Sequence, residues 1–102
     1  MEVGDFDRAL PQFDKAVEAA QSTMGADHIM SIVFRANRAD CLRRMGRYND
    51  AETVLLREYN SAASMLGPEH FRTQVIASQI AALYDDLGQD SQADDWRRRM
   101  GD

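Results

Sequence analysis

The chain has 102 residues, 28% of them charged and 44% hydrophobic, with a formal net charge of −5. That is enough for one domain with a modest core; the apolar fraction excludes a disordered chain, and the acidic balance argues against nucleic acid and anionic membrane as partners. Cys41 is the single cysteine, which excludes an internal disulfide framework and suits a reducing compartment. No apolar run reaches membrane-spanning length, and the opening stretch MEVGDFDRAL lacks the basic and apolar regions of a signal peptide, so a cytoplasmic location is expected.

Ala, Leu, Arg, Gln, Met and Asp abound, proline occurs only at Pro11 and Pro68, and no run alternates apolar and polar residues as a strand does. The expected class is all-α. A first helix is expected over residues 6–24, stopped by Gly25, because the left-handed turn after a helix favours glycine. Phe6, Ala9, Phe13, Ala16 and Ala20 share one of its faces, and Leu10, Val17 and Met24 an adjoining one. The second helix spans 28–45, with Asp27 as the expected N-cap and Gly46 as the stop. The third covers 48–66 and the fourth 69–87, begun by Pro68, whose missing N–H is not needed in a first turn. The fifth runs over 90–100 and carries Ala93, Trp96 and Met100 at three- and four-residue intervals. Five helices with connections this short run up and down, each antiparallel to the last.

The same vocabulary recurs after 42 residues. Gly25-Ala26-Asp27-His28 is followed by Gly67-Pro68-Glu69-His70; Gly4, Gly46 and Gly88 align in three copies, and so do Ala9, Ala51 and Ala93. Ala20 meets Ala62, Val33 meets Val75, and Ala39 meets Ala81. A fixed period of this size is the mark of a helical repeat.

The stretches NRADCLRRMGRYNDAETVLL (37–56), SMLGPEH (64–70) and QIAALYDDLGQDSQADDW (79–96) carry the pattern. It resembles the tetratricopeptide repeat, in the 42-residue form found in kinesin light chains and many bacterial proteins. The resemblance implies a right-handed solenoid of antiparallel helix-turn-helix units, about two and a half of them, in a single domain over 1–102. Residues 4–25 would be the second half of a repeat, 26–67 a full one, and 68–102 a full but shortened C-terminal capping repeat. A narrower likeness, over Arg47–Leu56, Leu66–Gln74 and Ala82–Ala93, is to the C-terminal repeats of bacterial serine/threonine protein kinases. No kinase domain is present, so that likeness transfers no catalytic residue. Arg35, Arg38 and Glu58 depart from the pattern, standing where the repeat expects apolar or small residues.

In this architecture the first helix of each repeat lines a concave groove. The resemblance therefore implies a module that binds a partner protein or peptide there, through Asn37, Asp40, Arg44, Ser78, Gln79 and Asp86. Asn37 and Gln79 match the position whose amide clamps a peptide backbone, an amide being both donor and acceptor; the competing role is a local bond to a neighbouring helix. The alternative function is a structural or dimerising solenoid end, and a third is a small-molecule regulatory site. Phe6, Ala9, Phe13 and Ala16 would form an exposed face contacting upstream repeats or a second copy in a homodimer.

No catalytic, cofactor or metal site is expected. Equivalent positions of successive repeats lie about 10 Å apart, too far for His28 and His70 to share a zinc bound at about 2 Å, so both read as turn residues. Cys41 aligns with Leu83 and reads as buried. Asp85, Asp86, Asp94 and Asp95 read as solvated acids, and Arg97, Arg98 and Arg99 oppose a helix dipole. Arg43 and Arg44 should face Asp85 and Asp86, one period away.

Overall fold

The structure is a computed structural model that describes residues 3–100. Among them the chain forms α1 (Val3–Met24), α2 (Ile29–Arg44), α3 (Tyr48–Leu66), α4 (Phe71–Asp86) and α5 (Asp90–Arg99), with no strand. The outer limits of the expected domain, residues 1 and 102, lie outside the described residues. Each helix packs on the next in the chain, and α2 also touches α4.

The turns alternate between two kinds, and each kind recurs after 42 residues. After α2, Gly46 takes φ +86°; its N–H bonds the Arg43 carbonyl (2.9 Å) and the Arg47 N–H bonds the Leu42 carbonyl (2.9 Å). After α4, Gly88 repeats the arrangement with Asp85 and Tyr84. This crossed pair of bonds satisfies orphan carbonyls and needs a left-handed residue, which glycine supplies without a Cβ clash. Gly4, which aligns with both, lies instead inside α1.

The histidine turns correct two expectations. The N-cap of α2 is His28, not Asp27: its Nδ1 accepts the Met30 N–H at 3.0 Å. His70 does the same for the Arg72 N–H at 3.1 Å, and Pro68 lies in the turn before that cap rather than in the first turn of α4. An imidazole two bonds from the backbone reaches a donor that would otherwise be orphaned at the helix start. Replacing either histidine by alanine should cost about 1 kcal/mol, the usual range for a lost cap. Chemical denaturation of His28→Ala and His70→Ala measures it, with the asparagine variants close to the parent.

The core joins Ile32, Ala36, Ala39 and Leu42 of α2, Ala51, Leu55, Tyr59 and Ala62 of α3, and Ile76, Ala77, Ile80, Leu83 and Tyr84 of α4, closed by Ala93 of α5. The recurring alanines sit where helices approach, and Ala51 and Ala93 are fully buried. Tyr84 donates its hydroxyl to Glu52 at 2.8 Å. Burial first, then the hydrogen bond and charge of Glu52, push its pKa up to about 12 from 10.0. The folded value lies above the unfolded one, so this stabilisation is complete below the unfolded pKa and is lost as pH rises through the folded one. An absorbance titration of phenolate should show one tyrosine lagging until the chain unfolds in alkali.

Candidate partner-binding groove

The contact between α2 and α4 leaves a hollow of about 150 Å³, lined by Val33, Ala36 and Asn37 on one side and Phe71, Arg72, Val75, Ile76 and Gln79 on the other. In its lining Gln79 Nε2 donates to Asn37 Oδ1 at 3.0 Å. Two residues 42 apart thus meet directly, which is the local bond weighed against a backbone clamp. Gln79 Oε1 is buried without a hydrogen-bond partner among the described residues. Beside this amide pair the surface is apolar: Phe71 is 75% exposed and Val75 is exposed too.

One end of the α2–α4 contact is charged. Arg43 donates to Asp40 at 2.8 Å and to Asp86 at 2.6 Å, while Arg44 donates to Asp40 at 3.3 Å. The expected pairing of two arginines with two aspartates is therefore half realised. Asp85 turns to Arg97 of α5 instead, at 2.7 and 3.2 Å, and that hydrogen bond holds its carboxyl below the usual carboxylate range. Adjacent residues on a helix point about 100° apart, so Asp85 and Asp86 serve different neighbours. Ser78 is exposed and bonds its own helix, the Val75 carbonyl, at 2.6 Å.

The residues named for the groove thus divide. Asn37 and Gln79 meet in the hollow, Asp40, Arg44 and Asp86 surround Arg43 at the charged end, and Ser78 stands apart. Sequence reasoning passed over Phe71, the most exposed large apolar side chain described; its signal was a phenylalanine directly after the N-cap histidine, where Ile29 stands one period earlier.

The first helix departs from its expected exposure. Phe6 is buried, not wet, and Ala9, Phe13 and Ala16 are half-buried. The reason is that α1 docks on α2 through this side as well: the Cys41 thiol, itself buried, donates to the Phe6 carbonyl at 3.6 Å, and Arg44 lies over the Phe6 ring, 5.8 Å from its centroid. Burial, reinforced by Asp40, raises the Cys41 pKa, the opposite of what a nucleophilic thiolate needs. Groups of three or more residues able to hold a metal ion do not occur among the described residues, and no described helix is long and apolar enough to cross a membrane.

A family model described as tetratricopeptide repeat matches residues 1–57. No curated protein matches the chain.

Proposed function

The chain belongs to the tetratricopeptide repeat family, whose members are generally protein–protein interaction modules, and on that premise we propose that it binds an extended partner peptide in the hollow between α2 and α4. Residues 4–25, 26–67 and 68–102 act in this reading as a half repeat, a full repeat and a shortened cap. The observation that supports the site is the Asn37–Gln79 amide pair, one oxygen of it unsatisfied, flanked by the exposed rings and branches of Phe71 and Val75. An amide offers both donor and acceptor to a peptide backbone, and a neighbouring apolar surface takes a side chain. Asp40, Arg43 and Asp86 fix the two helices in register at the other end, so the hollow is formed before a ligand arrives. No catalytic step belongs to this role, and the partner is a protein rather than nucleic acid or membrane.

Selection of a displayed random-peptide library tests the reading. Peptides enriched on the parent chain should bind an Asn37→Ala, Gln79→Ala double variant at least tenfold more weakly, and Phe71→Ala should weaken those with an apolar anchor. Enrichment that is indifferent to all three changes would place the binding surface elsewhere.

A further inference from the structure

Between α1 and α2 lies a second recess, of about 290 Å³, lined by Phe6, Ala9 and Phe13 and by Asp40, Cys41 and Arg44 among others. It adjoins the hollow between α2 and α4, because Asn37 lines both. The internal repeat shows what such a recess is for. One period later its lining becomes Tyr48, Ala51 and Leu55 of α3 with Ala82, Leu83 and Asp86 of α4. There the space is filled by α2: Ala36, Ala39 and Leu42 share one cluster with Ala51, Leu55 and Leu83, and those last three are fully buried. Ala9 and Phe13, in the corresponding places on α1, are only half-buried.

The two copies differ in charge at two positions, Arg44 standing for Asp86 and Asp40 for Ala82. In the filled copy Arg43 of the covering helix reaches Asp86 at 2.6 Å. In the open copy the position of Asp86 is taken by Arg44, whose side chain is half exposed over the Phe6 ring. We propose that the recess seats an amphipathic helix of the α2 kind, supplied by another repeat unit, with alanines against Ala9 and Phe13 and a carboxylate where α2 has Arg43. Asp40 divides its carboxylate between Arg43 at 2.8 Å and Arg44 at 3.3 Å, so a carboxylate on the incoming helix completes the pairing of Arg44, whereas α2's own arginine there meets like charge.

A chain carrying a copy of residues 26–45 directly ahead of Gly4 tests this, because Gly4 aligns with Gly46 and the copy enters in register. Its melting temperature should exceed that of the unextended chain by at least about 5 °C, and the added amides should be protected from hydrogen exchange. Changing the copy of Arg43 to Glu should raise the melting temperature further; Arg44→Asp in the host should reverse that order and Arg44→Gln should close the gap. Phe13→Asp should remove the gain from the added helix. No rise in melting temperature, or an order indifferent to residue 44, overturns the proposal. So does light scattering that shows the unextended chain dimeric through Phe13 and still dimeric with the added helix, which would make a second copy the occupant.

Discussion

Trp96→Ala is expected to lower the stability of the chain by about 2–3 kcal/mol, below the 3–5 kcal/mol of a fully buried tryptophan. Trp96 is half-buried, but its ring meets Tyr59 of α3 edge-on at 4.7 Å between centroids, and the Arg99 guanidinium lies 4.1 Å above it. Such an aromatic pair adds about 0.5–1.5 kcal/mol beyond its area. The indole thus ties α5 to α3 as well as to α4, on which α5 packs through the fully buried Ala93. For a domain of this size the loss corresponds to a fall of about 10–20 °C in melting temperature, measurable by circular dichroism. Trp96→Phe should retain most of the stability, and Arg99→Ala should change little because the cation is exposed. An unaltered melting curve for Trp96→Ala would mean that α5 does not cap the repeat.

The packing of α5 on α4 was legible because Ala93, Trp96 and Met100 recur at helical spacing while Asp94, Asp95, Arg98 and Arg99 between them stay exposed. Helix ends were legible to within a residue, since glycines at positive φ follow the first four helices; the starts were less so, α1 beginning at Val3 rather than at residue 6. What the period could not convey was the chemistry inside each turn. Asp27 and His28 are both polar and adjacent, and only the backbone path decides that the imidazole, rather than the carboxylate, reaches the free N–H. Side-chain partners across helices escaped for a similar reason: Asp85 and Asp86 are indistinguishable in a string, yet one faces α2 and the other α5. Phe6 is buried although the adjoining face of Leu10, Val17 and Met24 is the one expected against α2, because a helix packed on a helix buries a broad stripe.

Arg35→Ala is expected to cost about 3 kcal/mol. Glu58 is only 1% exposed and lies in α3 where the repeat expects a small residue. Arg35, 19% exposed on α2, donates to it at 3.1 Å and also to the Gln21 side chain and the Ala26 carbonyl, each at 2.8 Å. Arg57 supplies a second cation at 3.0 Å, but its side chain is 62% exposed. Removing Arg35 therefore strands a desolvated carboxylate, and breaking a buried pair from one side costs about 3–5 kcal/mol; Arg57 keeps the value at the lower end. The chain itself contains the apolar solution to the same place. One period on, Arg35 becomes Ala77, which is buried, and Glu58 becomes Met100, which packs against the core. Arg35→Ala combined with Glu58→Met should accordingly recover most of the loss, because replacing both charges with fitting apolar groups is often neutral or stabilising. Urea denaturation of the two single variants and the double variant measures the coupling. If the two losses simply add, the residues do not act as a pair, and the two departures from the repeat pattern do not compensate each other as the 3.1 Å contact implies.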